Sequence, residues 1–242
     1  MIFCFSATGN SRMAAKAVAE EGERIVDMAA ALKAQEYDYF LGGERIGFVF
    51  PVYCYTLPDL VFNFVKKLKI DKSDYVFSIV TCGGGIGGTN VFLAKELSRK
   101  GIRLDYAVSL LMPDNAIFYY DIKPREETDV CLGKAKESLA LIKAELNALC
   151  KKTAKGFSSK CLRPMYHLHA KTKKFWVTDA CVGCGLCAAR CPDEVIQMRN
   201  GIPVWTKDRC DKCSACINRC PKAAIQYGKA TQDRLRYVNP EG

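Results

Sequence analysis

The feature that constrains this chain most is a run of cysteines written twice. Cys181, Cys184, Cys187 and Cys191, with Pro192 after the last, recur as Cys210, Cys213, Cys216 and Cys220 with Pro221, at the same spacing 29 residues later. The register reaches past the cysteines: Trp176, Asp179, Arg190, Ile196 and Gln197 align with Trp205, Asp208, Arg219, Ile225 and Gln226. Such a duplication implies a pseudo-twofold unit, each half giving a short strand, a cysteine loop, a helical turn and a return strand. A structural zinc ribbon is the plain competitor, because zinc takes four ligands, usually from two Cys-x2-Cys pairs. Zinc gives no reason for a third cysteine in each run or for a proline after the fourth.

The remaining six of the 14 cysteines, Cys4, Cys54, Cys82, Cys131, Cys150 and Cys161, are scattered and read as small core residues. No stretch approaches the run of about 18 apolar residues needed to span a bilayer, and no basic segment precedes the first apolar one. A cytoplasmic location without a membrane span is therefore expected. In that reducing compartment metal or redox chemistry outranks a disulfide framework. With 49% hydrophobic residues the chain can bury a sizeable core, and disordered and collagen-like classes are excluded. The net charge of +10 is uneven: residues 1–150 carry 18 basic and 19 acidic side chains, residues 151–170 five basic and none acidic, and residues 171–242 13 against seven. Charge alone, without a reading motif, does not make a nucleic-acid binder, so none is expected. Two domains joined by a basic linker are expected. The linker reads as a solvated tether, with docking to an acidic partner or to the first domain as the other reading, and His167 and His169 within it read as surface residues.

Ahead of the linker, short apolar runs alternate with helical patterns. Strands are expected over 2–5, 24–26, 45–50, 75–80 and 104–110, and helices over 11–20, 57–68, 90–100 and from 125 to about 152. This alternation predicts a parallel sheet with helices on both faces, and ligands in such sheets sit outside the carboxyl ends of the strands. The first loop there, Ser6-Ala7-Thr8-Gly9-Asn10-Ser11, leads into a helix whose amino end suits a phosphate. Without Lys or Arg and without G-K-[ST] it is no Walker A loop; a polar helix cap is the other reading. The second loop, Pro51-Val52-Tyr53-Cys54-Tyr55, offers two aromatic rings to a flat ligand, or packs them. The third runs Thr81-Cys82-Gly83-Gly84-Gly85-Ile86-Gly87-Gly88. So much glycine costs entropy and suggests close approach of the backbone to a ligand, or a loose surface loop. Residues 112–120, after the last expected strand, are aromatic enough to line a pocket or to pack on the linker.

Strand, Ser6 to Ser11, then helix resembles the FMN phosphate loop of the flavodoxin family. The resemblance implies that Ser6, Thr8, Gly9, Asn10 and Ser11 hold the phosphate, with Ala7 in the same loop. It sets Pro51, Val52, Tyr53, Cys54 and Tyr55 on one side of the isoalloxazine and Thr81, Cys82, Gly83, Gly84, Gly87 and Gly88 on the other. The chain departs from short flavodoxins in having no Trp in the second loop and no Asp or Tyr in the third. The cysteine runs resemble bacterial two-cluster ferredoxins, in which three close cysteines bind one [4Fe-4S] cluster and the fourth reaches the other. That implies Cys181, Cys184, Cys187 and Cys220 for cluster one, and Cys210, Cys213, Cys216 and Cys191 for cluster two. Together these look like the flavodoxin-ferredoxin fusion proteins of anaerobes. The expected fold class is α/β, a flavodoxin-like doubly wound five-stranded parallel sheet followed by a small α+β two-cluster ferredoxin domain. The expected boundaries are 1–155 for the FMN domain, 156–174 for the linker, 175–230 for the ferredoxin domain and 231–242 for a tail. The implied function is electron transfer between FMN and two [4Fe-4S] clusters, joining one-electron and two-electron protein redox partners. The alternative is an FMN-dependent reductase of a quinone, nitro compound or other small acceptor, fed through the clusters. Homo-oligomerisation stays open.

Overall fold

The apolar runs of the first half become strands within two residues of their expected bounds. The structure is a computed structural model that describes every residue except Leu41, Lys72, Phe157 and Ser158; the side chains of Ser159, Lys160 and His169 also lie outside the description. In chain order the elements are β1 (Ile2–Cys4), α1 (Asn10–Val18), β2 (Ile25–Asp27), α2 (Met28–Ala34), β3 (Asp38–Tyr39), β4 (Ile46–Pro51), α3 (Asp59–Lys67), β5 (Lys69–Ile70), β6 (Val76–Cys82), α4 (Thr89–Ser98), β7 (Tyr106–Leu111) and α5 (Arg125–Asn147). They continue with a 3-10 turn (Ser159–Leu162), α6 (Arg163–His169), β8 (Phe175–Val177), α7 (Leu186–Ala189), β9 (Ile196–Arg199), β10 (Ile202–Trp205), α8 (Ala215–Asn218) and β11 (Ile225–Tyr227).

Five parallel strands form one sheet in the order β2-β1-β4-β6-β7. Successive residues of a strand face opposite sides, so Ile2 and Cys4 enter one layer while Phe3 and Phe5 enter the other. On the first side α1 packs through Met13, Ala14 and Val18, and α5 through Leu132, Leu139 and Leu146. On the second, α2, α3 and α4 bring Met28, Phe64 and Phe92. Strands covered on both faces read as near-continuous apolar runs; Ile46, Gly47, Phe48, Val49 and Phe50 are all buried. Each such Phe is worth about 1.5–3 kcal/mol over leaving it in water.

Two departures have local causes. Helix α5 stops at Asn147 rather than near 152, because the chain turns at Leu149 (φ 51) and runs back beside β7. There Ala107 N–H donates to Lys152 O at 2.9 Å and Lys152 N–H to Asp105 O at 3.0 Å, so the edge of the sheet is partly covered. Helix α2 was not expected; it is set by Asp27, whose carboxylate accepts from the N–H groups of Ala29 and Ala30, a strong amino-terminal cap.

In the C-terminal segment each repeat gives strand, cysteine loop, helical turn and return strand. The strands pair across the repeats, β8 with β11 and β10 with β9, both antiparallel. The stretch expected as a solvated tether instead carries the 3-10 turn and α6 against the first half. Arg163 pairs with Asp59 and lies 4.3 Å from the centroid of the Phe62 ring. His167, half-buried rather than free on the surface, is 3.0 Å from Asp59, while the side chain of His169 lies outside the described residues. Among the described residues no helix is long and apolar enough to cross a membrane.

Candidate functional site

All three glycine-, hydroxyl- and aromatic-rich loops leave carboxyl ends of strands, and they converge on one cavity of ≈ 490 Å³. That volume is within the range of about 300–1,000 Å³ usual for small-molecule sites. From the first loop Ser6, Ala7, Thr8, Asn10 and Ser11 line it; from the second, Pro51, Val52, Tyr53, Cys54 and Tyr55; from the third, Thr81, Cys82, Gly83, Gly84 and Gly85. Gly9, Gly87 and Gly88 stand behind this wall. Gly9 (φ 108) precedes α1, Gly88 precedes α4, and Gly87 packs against Cβ and the carbonyl of Tyr55.

The first loop is braced from several sides. Gly9 N–H donates to Ser6 Oγ at 3.2 Å, and Ser11 Oγ and Thr81 Oγ1 are 2.7 Å apart. Asn10 is engaged within the protein: its Nδ2 donates to Pro113 O at 2.9 Å, while its Oδ1 accepts from Tyr237 Oη at 2.8 Å and Asn239 Nδ2 at 3.1 Å. Its side chain thus clasps the loop to the 112–120 segment and the tail. What remains for an anion is the first-turn N–H groups of α1, which have no acceptor four residues back in the helix, together with O–H donation from Ser6 and Thr8, whose oxygens accept from Gly9 N–H and Asn115 Nδ2, and from the Ser11–Thr81 pair. The cation missing from the loop arrives from the second cysteine repeat, where Arg219 Nε donates to Ala7 O at 2.8 Å.

The second loop is a two-residue reversal: Tyr53 N–H donates to Thr56 O at 3.1 Å and Thr56 N–H to Tyr53 O at 2.9 Å. Cys54 (φ 48) and Tyr55 (φ 59) occupy its centre in the left-handed region, where Asn-Gly is the usual choice. Non-glycine residues held there cost about 1–3 kcal/mol each and concentrate at functional sites. The turn leaves Tyr55 exposed at the cavity mouth, whereas Tyr53 sits edge-on to Phe5 with its hydroxyl buried and unpartnered among the described residues. Tyr55 is therefore the ring free to cover a flat ligand. Burial raises the thiols of Cys54 and Cys82, which makes them poor nucleophiles.

The far wall is anticipated in part: Phe118, Tyr119 and Tyr120 of the aromatic 112–120 segment line it, whereas Met165 and Tyr166, and Asp211, Lys212 and Ser214 from the second cysteine repeat, are missed by sequence reasoning. Among the described lining residues Lys212 is the one cation. Its Nζ donates to Tyr119 Oη at 3.3 Å and lies 4.2 Å from the Tyr227 ring centroid and 4.8 Å from that of Phe118. Burial pulls its ammonium down to about 8. Asp211 accepts from Leu60 N–H in the first turn of α3 at 2.9 Å and from Tyr166 Oη at 2.6 Å, so a side chain of the cysteine repeat caps a helix of the α/β half. Burial and the neighbouring Asp193 push its carboxyl upward.

The eight repeat cysteines line two smaller cavities. One is bounded by Cys181, Cys184, Cys187 and Cys220, the other by Cys191, Cys210, Cys213 and Cys216. Each therefore joins three cysteines of one run to the fourth of the other. Burial pushes the Cys210 thiol up to about 12 and those of Cys213 and Cys216 well above their ordinary value. A bound metal centre would reverse this by stabilising thiolates, so the donor set suits such a group. Cys4 and Cys82 are buried, Cys54, Cys131 and Cys150 half-buried, and Cys161 exposed.

Residues 173–221, which contain all eight of these cysteines, match a family described as a 4Fe-4S dicluster domain. The segment is thus similar to iron-sulfur domains, which points to iron-sulfur electron transfer. No curated protein matches the chain.

Proposed function

We propose that the chain is an electron carrier in which FMN, held by the α/β half, exchanges electrons with two [4Fe-4S] clusters of the C-terminal segment. The observation that carries this reading is the single cavity lined both by the three strand-end loops and by the second cysteine repeat. Numbered within the large sheet alone, the strand order is 2-1-3-4-5, the order of flavodoxin-like folds, whose ligand lies where the order reverses, between strands 1 and 3. The first two loops follow β1 and β4, the strands on either side of that reversal. The helix-α1 amides with Ser6, Thr8 and Ser11 would take the phosphate, Tyr55 would cover the ring, and the Cys82 to Gly85 backbone would face its edge. When bound, FMN supplies both one-electron and two-electron chemistry. The protein orients the ring, limits water around it, and sets one positive charge, Lys212, in its wall.

In this reading residues 1–155 form the flavin domain, 156–174 the linker, 175–230 the cluster domain and 231–242 the tail. Cluster one takes Cys181, Cys184, Cys187 and Cys220, and cluster two Cys210, Cys213, Cys216 and Cys191. The partners are protein electron donors and acceptors of anaerobic metabolism. The test is the absorption spectrum of anaerobically purified or reconstituted chain with iron, sulfide and FMN quantified; about eight iron and one FMN per chain are expected. A second reading, a flavin-dependent reductase of a small acceptor, draws on Tyr119 and Tyr120 at the cavity and the exposed Tyr55 at its mouth. Saturable turnover of one small molecule with high kcat/KM, and slow exchange with carrier proteins, would favour it.

A further inference from the structure

The duplication lets each repeat serve as a control for the other. Gly183 (φ 67) and Gly185 (φ 73) in the first cysteine loop correspond to Lys212 (φ 48) and Ser214 (φ 62) in the second. Left-handed backbone costs a residue with a side chain about 1–2 kcal/mol, and an observed outlier of this kind is grounds for a functional hypothesis. Both residues line the large cavity, and both also line the cavity bounded by Cys191, Cys210, Cys213 and Cys216. Lys212 touches the two sides at once: its amide N–H donates to Cys210 Sγ at 3.4 Å, while its ammonium lies among Phe118, Tyr119 and Tyr227. The cavity of Cys181, Cys184, Cys187 and Cys220 shares no described residue with either of the others. Its rim is open, with Cys184 exposed and Val182 62% exposed, whereas Cys191 and Cys213 are buried.

We propose that the clusters act in a fixed order. The one held by Cys191, Cys210, Cys213 and Cys216 lies beside the flavin across the Lys212–Ser214 wall, and the one held by Cys181, Cys184, Cys187 and Cys220 is the outer port. This rests on the FMN reading above. Oxidation of fully reduced flavin releases two electrons and two protons. The protons leave to water at the cavity mouth. The electrons pass singly to the inner cluster and then to the outer one, and from there to two equivalents of a one-electron carrier protein; the reverse sequence reduces the flavin. Because electron transfer weakens steeply with distance, the shared wall makes this sequence faster than any path that skips the inner cluster.

The order is tested on the full chain loaded anaerobically with iron, sulfide and FMN, whose bound flavin is first read in the absorption spectrum. A chain that loads iron but no FMN sinks the flavin reading and this order with it; bound FMN confines the following outcomes to the order alone. In half-reduced protein, a nearby reduced cluster speeds spin relaxation of the flavin radical, measured by power saturation of its EPR signal. Cys184→Ala should keep the fast relaxation and lose the fast reduction of added cytochrome c. Cys213→Ala should lose the fast relaxation. The opposite pattern overturns the order. Should either variant fail to hold its remaining cluster, Cys184→Ser and Cys213→Ser keep an oxygen ligand at each site and carry the same readouts. Fast relaxation of the flavin radical should be lost or slowed in Cys213→Ser and kept in Cys184→Ser, and the reverse, or equal relaxation in both, overturns the proposal.

Discussion

The two cysteine repeats share their spacing but not their surroundings. The second faces the α/β half: Asp211 caps α3, Asn218 donates to Asn115 O at 3.1 Å, and Arg219 holds the Ser6 to Ser11 loop. The first meets that half chiefly at its end, where Lys33 donates to Cys191 O at 3.0 Å and pairs with Glu194 at 3.8 Å. Even the aligned tryptophans differ. Trp205 stacks on Phe175 at 4.6 Å and lines the second cysteine cavity, while Trp176 is exposed and donates its Nε1–H to Gly228 O. A duplicated cysteine frame thus keeps the spacing that both halves need and frees the other positions to specialise, one half inward and one outward.

The largest expected effect breaks the frame itself. Cys191→Ala, in the first run, should empty the second cluster site and lower iron from about eight to about four per chain, with the surviving Mössbauer and EPR signals those of the site at Cys181, Cys184 and Cys187. Primary loss of that site instead would rule out the crossed arrangement. Next comes the inward face: Asp211→Ala leaves the first turn of α3 uncapped and Tyr166 Oη without its partner. Lost caps and buried hydrogen bonds cost about 1–3 kcal/mol. A lowered Tm and faster proteolytic cleavage within residues 151–174 are expected, and neither should follow Val182→Ala at the corresponding position of the first loop, where the side chain is exposed.

What the sequence makes legible follows from range. Parallel strands covered on both faces and a cysteine spacing repeated within 40 residues are local patterns, so the five-stranded sheet and the eight clustered cysteines are readable in order. Helix α2 is also local; Asp27 ahead of Met-Ala-Ala-Ala-Leu-Lys-Ala is a readable cap and helix that periodicity in so short a segment does not reveal. The far wall of the cavity is different. Tyr166 reaches it because α6 docks on Asp59 and Asp211, and Asp211 and Lys212 because the second cysteine repeat packs on α3, both of them long-range packing events. A trace existed all the same: at two positions where the first loop has glycine, the second has Lys212 and Ser214. Likewise Asn10 reads as a phosphate ligand when only its own loop is considered, whereas Tyr237 and Asn239, more than two hundred residues away, make it a clasp.

The first loop should refuse the side chains that the second accepts. A Cβ added at Gly183 would lie 2.9 Å from Gly201 O, a backbone atom that cannot swing aside, whereas one at Gly185 meets nothing within 4 Å. Both positions carry the left-handed cost of about 1–2 kcal/mol, so Gly183→Ala should lower the Tm of the cluster-loaded chain more than Gly185→Ala does. Equal effects would show that the backbone conformation alone, and not the crowding at Gly201, keeps glycine in the first loop.

The smallest effect separates the two arginines that follow the third cysteine of each run. Arg219 Nε donates to Ala7 O, and burial lowers its pKa; Arg190, its counterpart, is exposed. Losing a hydrogen bond from a charged donor costs about 1.5–3 kcal/mol, but solvent reaches part of this side chain, which places Arg219→Ala nearer the lower end. A surface substitution such as Arg190→Ala stays within about 0.5 kcal/mol. Arg219 also brings positive charge to a loop that has no cation of its own, so its removal should weaken FMN binding roughly tenfold for each 1.4 kcal/mol lost, read by fluorescence titration. Arg190→Ala supplies the matched control for the change in net charge. If both variants weaken FMN binding equally, long-range charge rather than the brace on Ala7 governs the loop, and the inward specialisation of the second repeat stops at Lys212.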